Sequence, residues 1–204
     1  MNLDEIIKSR HSIRDYKEDI VSNNLIGAIL DSAKQAPSSD NIQNWRFIIV
    51  KDKKKKEQIA RASLNQSWMN QAPVHIVVCY DVRQVKTLFP ESYIELSIKN
   101  VSIASTLIML KATELSLGSC WVDIADQIKI SQILKLPEHI IPSVIITIGY
   151  ASGYYKKTTR LGLDIITFFE EFGSRGRRLH PKLLPLQTQS LKQKLDKLKT
   201  KLKK

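Results

Sequence analysis

The chain has 204 residues, 43% of them hydrophobic, and a formal net charge of +12. This length suits one globular domain with a core large enough to fold unaided, and the apolar share excludes general disorder. No uninterrupted apolar run reaches the roughly 20 residues that span a bilayer. The first ten residues carry Asp4 and Glu5 and no apolar core segment, so we expect no signal peptide and a cytoplasmic protein.

The positive charge is concentrated toward the C-terminus. Residues 174–204 hold eleven Lys or Arg and one acid, Asp196, and so account for +10 of the net charge. We therefore predict a nearly neutral domain over residues 1–173 and a basic C-terminal extension over residues 174–204. A high pI ordinarily suggests a nucleic-acid partner. Because the charge is confined to the extension, we expect no specific nucleic acid for the domain.

The cysteine and histidine pattern argues against a metal centre. Cys79 and Cys120 lie far apart, each within an apolar run, which favours buried free thiols in a reducing compartment. The four histidines are scattered as well. No Cys/His cluster has the spacing of metal ligands, so we predict no metal site.

Helices and strands alternate along the chain. Helical periodicity, with capping residues at the starts and Pro or Gly at the ends, predicts helices over residues 23–36, 53–63, 93–117 and 126–136. Runs rich in Val and Ile predict strands over residues 47–50, 74–80 and 143–150, with another short strand after Gly118. The continuous apolar character of strand 74–80 predicts burial on both faces. This alternation is typical of an α+β or α/β sandwich.

The first candidate site is the segment Arg10-His11-Ser12-Ile13-Arg14. Two guanidinium groups and a hydroxyl within five residues can cradle an anion, because Arg offers forked donors to phosphate. In an extended segment, Arg10, Ser12 and Arg14 point to one side. The alternative interpretation is a solvated basic loop.

Three further segments carry polar groups in connections between elements. Residues 36–45 are dense in amides and hydroxyls, which suits either a ligand-binding rim or an ordinary turn. At residues 118–123, Gly118 would let backbone amides approach a ligand closely, or would simply join a helix to a strand. Residues 156–160 form either a second phosphate-binding arm or a basic surface turn.

The order of these segments resembles the nitroreductase family of flavin enzymes. The matching pieces are Arg10 to Arg14; Ala36 to Ser39 with Asn41, Gln43 and Trp45; Ala72-Pro73; Leu117 to Val122; Ile148 to Tyr150; and a following Lys/Arg pair. The resemblance covers roughly residues 5–173. It implies an α+β fold, a nitroreductase-like α/β/α sandwich with a mixed central sheet flanked by helices. It also implies an obligate dimer with flavins at the interface.

The resemblance assigns flavin mononucleotide (FMN) contacts to particular residues. Arg10, His11 and Ser12 would bind the phosphate and ribityl chain. Arg14 would reach the N1/O2 edge of the ring, where two-electron reduction places negative charge. A loop from the second subunit would contact the flavin through Pro37, Ser38, Ser39, Asn41 and Gln43, and the side-chain amide of Asn65 would contact the ring. The strand beside the ring would contribute Cys120, Trp121, Val122 and Asp123, and the phosphate arm would contribute Lys157 and Arg160.

Two positions depart from the family pattern. Position 123 is Asp, where many members have Gly beside the reactive edge of the ring. Position 68 is Trp, where some members place a Lys near the ring, which leaves Arg14 as the main cation at that edge. Both departures bear on the substrate more than on the cofactor.

The implied activity is that of an FMN-dependent oxidoreductase. NADH or NADPH would supply hydride, and an electron-poor small molecule such as a nitroaromatic or quinone would then be reduced in a ping-pong mechanism. No catalytic nucleophile or acid–base dyad is needed. Two alternatives are a flavin-binding or flavin-free sensor or interaction protein of the same fold, and a member with specialised chemistry such as dehalogenation or flavin cleavage.

The basic extension carries an apolar stripe, because Leu191, Leu195, Leu198 and Leu202 are spaced four, three and four residues apart. Three interpretations stay open: a helix that packs on the dimer, a weak contact with an anionic membrane or another polyanion, or a mobile tail. An amphipathic helix this short, without an aromatic anchor, would bind membranes weakly.

Overall fold

The computed structural model describes residues 1–153, 155 and 158–175. The chain divides into two compact units, Met1–Lys156 and Lys157–Lys204. The predicted boundary near residue 173 stays a prediction. The leucine stripe of the basic extension lies outside the described residues.

A four-stranded sheet forms the centre of the first unit. Its strands are β1 (Trp45–Val50), β2 (Val74–Asp81), β3 (Gly118–Asp123) and β4 (Ile140–Gly149), in the order β1-β2-β4-β3. All three strand pairings are antiparallel, with a register shift between Val78 and Cys79. Every residue of β2 is buried, as its continuous apolar sequence predicts. Outside the four strands, an isolated parallel bridge joins Ser12 to Ser119.

The described part of the chain forms seven α-helices: α1 (Leu3–Ser9), α2 (Asn23–Ala33), α3 (Lys53–Ala62), α4 (Val82–Leu88), α5 (Tyr93–Glu114), α6 (Gln127–Leu134) and, in the second unit, α7 (Leu163–Ile166). The first unit also contains two 3-10 turns, Ser39–Asn41 and Ser67–Gln71. The predicted start of α2 is confirmed, because the Ser22 side chain accepts a hydrogen bond from the Leu25 amide.

The helices of the first unit cover both faces of the sheet. On one face, Ile76 and Val78 of β2 join a core cluster with side chains of α2 and α5. On the other face, Val77 and Cys79 join a cluster with side chains of α3 and α6. Adjacent residues of β2 thus enter opposite cores, since side chains alternate along a strand. The predicted α/β/α sandwich is confirmed, but the predicted mixed sheet is wrong, since all pairings among the described strands are antiparallel.

The end of α5 differs from the prediction. The helix ends at Glu114, three residues before the predicted end, and Ser116 has a φ of +61°, in the left-handed region. Gly118 is instead the first residue of β3. Among the described helices, α5 alone is long and apolar enough to cross a bilayer. Its buried side chains pack on the sheet, as those of a core helix do.

Candidate functional site

The segment Arg10–Arg14 runs along the edge of β3. The Ile13 amide donates to the Ser119 carbonyl at 2.9 Å, and further on the Lys17 amide donates to the Tyr150 carbonyl at 2.8 Å. Ile13 is buried, whereas its neighbours Ser12 and Arg14 are exposed. The predicted alternation of an extended segment is therefore confirmed: Ile13 anchors the segment, and its polar neighbours face outward.

Two glycines permit this close approach. A Cβ atom at Gly118 would lie 2.9 Å from Cγ1 of Ile13. A Cβ atom at Gly149 would lie 2.5 Å from Cδ of Pro73 and 2.8 Å from Cδ1 of Tyr16. Carbon atoms in contact stay beyond about 3.5 Å, so any larger residue would push the segment away from the sheet.

Cys120 of β3 follows Ser119, the residue that pairs with this segment. Burial raises the pKa of the Cys120 thiol, and the guanidinium groups of Arg14 and Arg10 and the hydroxyl of Ser12 oppose that rise. Three polar groups predicted to bind phosphate and ring therefore lie beside one strand. Beneath them, the Tyr16 hydroxyl donates to the Ile13 carbonyl at 2.7 Å. Burial raises the pKa of Tyr16, which keeps this phenol protonated as a donor.

A cavity of about 240 Å³ opens at the N-terminal half of this segment, and Ser9, His11, Ser119 and Tyr155 are among its lining residues. The Ser119 hydroxyl is buried and has no hydrogen-bond partner among the described residues. Buried polar groups are nearly always paired, so this hydroxyl fits a polar ligand that supplies the missing partner. Arg10, Ser12 and Arg14 are not among the residues that line this cavity.

The 3-10 turn Ser67–Gln71 borders the segment on its other side. Its Trp68 ring centroid lies 5.7 Å from Cζ of Arg14. Asn65, the predicted ring contact, is exposed just before this turn and has φ +54°, a left-handed conformation that Asn tolerates better than most residues. The structure therefore brings Arg14 and Trp68 together.

The loop after α2 is built from hydrogen bonds to α5. The backbone amide and hydroxyl of Ser39 both donate to Oδ1 of Asn100, at 2.9 and 3.2 Å. Asn100 in turn donates to Oδ1 of Asn44 at 3.0 Å. Farther along the loop, the Gln43 side chain donates to Oδ1 of Asn41 at 3.0 Å, and both residues have positive φ. Pro37, Asn41 and Gln43 are exposed, while Ser38 and Ser39 are half-buried.

The two predicted walls of the site, the Pro37–Gln43 loop and the Arg10–Arg14 segment, lie at different positions along α5. Asn100 holds the loop, whereas Thr113 lines the cavity beside the Arg10–Arg14 segment. Thr113 comes thirteen residues after Asn100, a rise of about 20 Å along the helix at 1.5 Å per residue. Within one chain, these two contacts with α5 are therefore far apart.

The predicted residues of β3 divide between core and surface. Cys120 and Val122 are buried, so only the backbone of Val122 is available to a ligand. Trp121 is half-buried and donates from Nε1 to Oδ1 of Asp123 at 2.6 Å, which orients the Asp123 carboxylate along the strand. In the described sheet β3 is an edge strand, so its outer backbone groups face the site.

The predicted phosphate arm is described only in part. Lys157 lies outside the described residues. Arg160 belongs to the second unit, where its Nη1 donates to the Thr158 hydroxyl at 2.8 Å. The role of both residues in binding phosphate stays a prediction.

Three neighbours of the site were not predicted from the sequence: Tyr16, Gln71 and Ser119. Ser119 lies inside the recognised motif Gly118–Asp123, yet no pattern distinguishes a hydroxyl that will be buried without a partner. Gln71 accepts from the Tyr16 amide at 3.2 Å across 55 residues of chain. Such a contact depends on the tertiary fold.

Known proteins match this chain over most of the first unit. The family model described as Nitroreductase family matches residues 7–68 and 61–150. A relative from Methanothermobacter thermautotrophicus, provisionally named NADH dehydrogenase/NAD(P)H nitroreductase, is 35% identical over 154 residues, covering 74% of this chain and 78% of its own. FMN reductase [NAD(P)H] from Bacillus subtilis is 26% identical over 187 residues, covering 83% and 75%. The solved FMN-dependent nitroreductase of Clostridium difficile R20291 superposes with a TM-score of 0.72 at 31% identity, covering 82% of this chain and 98% of that one.

Proposed function

Because this chain belongs to the nitroreductase family, we propose that it is an FMN-dependent NAD(P)H oxidoreductase that reduces an electron-poor small molecule, such as a nitroaromatic or a quinone. The names of similar proteins, FMN reductase and FMN-dependent nitroreductase, support the cofactor and the hydride donor. One structural observation supports the proposal: the Arg10–Arg14 segment pairs with β3 through the Ile13 amide and the Ser119 carbonyl, which leaves Ser12 and Arg14 exposed on either side of the buried Ile13.

The residues present fit the cofactor. Arg10, His11 and Ser12 would hold its phosphate and ribityl chain, because guanidinium groups donate in pairs to phosphate oxygens. Arg14 would place a fixed positive charge at the N1/O2 edge of the ring, where reduction adds negative charge. When bound, FMN supplies the redox chemistry, taking hydride from NADH or NADPH and passing electrons to the acceptor.

We propose further that two copies of the chain build each site. One copy would contribute the Arg10–Arg14 segment, and the other the loop from Pro37 to Gln43. The separation of about 20 Å along α5 supports this arrangement. Helix α5 also exposes Ile94, Ile98 and Ile103, which supply apolar area for an interface between copies.

Complementation between two inactive variants tests the shared site. One variant carries Arg10→Ala, and the other carries Asn41→Ala with Gln43→Ala at exposed loop positions. Each homodimer should lose activity. A heterodimer of the two variants should recover one intact site, because the unmutated walls meet at one interface. Mixed dimers with no activity above that of either parent would contradict a site shared between copies.

Steady-state kinetics test the reaction itself. Initial rates at several NADH or NADPH concentrations, each at several concentrations of a nitroaromatic or quinone acceptor, should give parallel double-reciprocal lines, as a ping-pong mechanism requires. Absence of turnover with either donor across acceptors of both classes would contradict the proposed activity. We propose the cytoplasm as its location, where the buried thiols Cys79 and Cys120 stay reduced.

A further inference from the structure

We propose that the 3-10 turn Ser67–Gln71 acts as a clasp that fixes Arg14 at the cofactor site, with Trp68 as the positioning residue. This inference rests on the proposed function, because it concerns the cation assigned to the reducible edge of the ring. It extends that function to a residue, Trp68, at which this chain departs from the family pattern.

Arg14 is held by an aromatic face and not by an acid. Its Cζ atom lies 5.7 Å from the Trp68 ring centroid, within the range of a cation–π interaction. Within the described part of the chain, no carboxylate forms an ion pair with Arg14. A carboxylate partner would cancel the positive charge, whereas an aromatic ring restrains the guanidinium and leaves its charge available to a ligand.

The clasp itself is oriented at two points. Trp68 donates from Nε1 to Oε1 of Gln66 at 3.2 Å, which sets the direction of the indole ring. The same ring packs against the buried cluster that contains Ile13 and Tyr16. At the end of the turn, Oε1 of Gln71 accepts from the Tyr16 amide at 3.2 Å. The turn therefore contacts Arg14 at the end of the segment and Tyr16 just beyond it.

Two buried bases anchor the clasp from the core. Lys56 donates from Nζ to the Ala72 carbonyl at 2.6 Å, and Nε2 of His75 lies 2.9 Å from the Met69 carbonyl. Both residues are buried, and burial lowers the pKa of each. Burying such groups is unfavourable unless they find strong acceptors. Here those acceptors are the carbonyl of Met69, in the middle of the turn, and that of Ala72, the residue after it, while Nδ1 of His75 has no partner among the described residues.

A double-mutant cycle tests the clasp. The variants are Trp68→Leu, Trp68→Phe, Arg14→Gln and the double variant Trp68→Leu with Arg14→Gln. The readout is the dissociation constant of FMN from the apoprotein, measured for the oxidised and for the reduced cofactor. We expect Trp68→Leu to weaken binding of reduced FMN about fivefold, with a smaller effect on oxidised FMN, because a cation–π contact is lost. Trp68→Phe should restore most of the affinity.

The decisive comparison is made in the Arg14→Gln background. There, Trp68→Leu should change the affinity for reduced FMN by less than twofold, since the cation that Trp68 positions is already absent. An equal fivefold loss in both backgrounds would overturn the clasp while leaving FMN binding in place. Failure of the unmutated chain to bind FMN would overturn the proposed function and the clasp together.

A second variant covers the case in which Trp68→Leu does not fold. Gln66→Leu removes the acceptor of the indole N–H and keeps the ring. It should weaken binding of reduced FMN in the same direction, and again only when Arg14 is present. Unchanged affinity in a Gln66→Leu protein with a wild-type unfolding midpoint would overturn the proposal.

Discussion

At the residue scale, glycine positions control how closely the N-terminal segment approaches the sheet. Gly118 is buried at the start of β3 and faces Ile13, whereas Gly27 is exposed on α2, where an added Cβ atom would have no neighbour within 4 Å. The two glycines thus form a matched pair, because an added methyl group meets a neighbour at one position and open solvent at the other.

The first prediction follows from this pair. Gly118→Ala should destabilise the fold by about 1–3 kcal/mol, since overpacking forces the segment to shift. It should also weaken FMN binding. Gly27→Ala should be neutral or stabilising by up to about 1 kcal/mol, since alanine suits a helix interior better than glycine. Urea unfolding and FMN titration measure both effects. Equal stability of the two variants would contradict the described packing of Ile13 on Gly118.

Arg10 gives a second prediction. Arg10→Ala should weaken FMN retention by about 2–4 kcal/mol if the site excludes water, because a charge-assisted pair with phosphate is lost. Arg61→Ala, which removes an exposed guanidinium from α3, serves as the control and should retain wild-type affinity. Unchanged affinity in the Arg10 variant would remove Arg10 from the phosphate site.

The polar residues of this site could be predicted from the sequence better than the contacts that hold them in place. The Arg10–Arg14 and Pro37–Gln43 segments could be identified because several donors occur close together in each. The contacts that hold them are long-range: Ser39 to Asn100, Tyr16 to Gln71, and the bridge of Ser12 to Ser119. No local pattern encodes such pairings, since the partners meet only in the folded chain.

At the element scale, most helices and strands could be predicted, whereas α1 and α4 were missed. Strands β2 and β4 and helix α5 are extensive and buried, so their periodicity is clear. Helices α1 and α4 have seven residues each and one buried side chain each. Helix α6 also has one buried side chain, but it could be predicted because Asp126 and Pro137 mark its two ends. The end of α5 was misplaced because Ser116 adopts a left-handed conformation more typical of glycine.

The anchoring of the Ser67–Gln71 turn gives a prediction about acid stability. Burial lowers the pKa of His75 to about 4 from 6.5, and the nearby Lys56 charge acts in the same direction. The unfolded chain therefore binds a proton near pH 6.5 that the folded chain does not bind until about pH 4. The contribution of neutral His75 to the free energy of unfolding is therefore complete above pH 6.5, and it is lost as the pH falls toward 4.

Unfolding experiments at two pH values measure this effect. Between pH 7 and pH 5, the free energy of unfolding should fall by about 2 kcal/mol from this residue alone. His75→Leu should remove that part of the pH dependence. His139→Gln, at a half-buried position outside the clasp, should keep it. An identical pH dependence in wild type and His75→Leu would show that His75 is not the titrating group.

At the scale of the whole molecule, one long helix separates the two predicted walls of the site. In the proposed arrangement each copy contributes one wall to each of two sites, and α5, which lies between the walls, exposes isoleucines along its length. The resemblance to a dimeric family led to the same expectation from the sequence. The structure adds a physical reason, which is the separation of about 20 Å between the walls.

The basic extension should be dispensable for the cofactor. The contacts that carry the proposed site lie in the first unit, from Arg10 to Ser119. A chain truncated to remove residues 186–204 should therefore keep the FMN affinity of the full chain. Loss of flavin absorbance from the truncated protein would contradict this division of roles.

The absorbance spectrum of the purified full-length protein tests the central claim most directly. The protein, reconstituted with FMN and freed of excess cofactor, should be yellow. Under anaerobic conditions, stoichiometric NADH or NADPH should bleach the flavin band, and an electron-poor acceptor should then restore it. A protein that stays colourless after incubation with FMN, or that binds FMN which neither nicotinamide donor bleaches, would contradict an FMN-dependent NAD(P)H oxidoreductase.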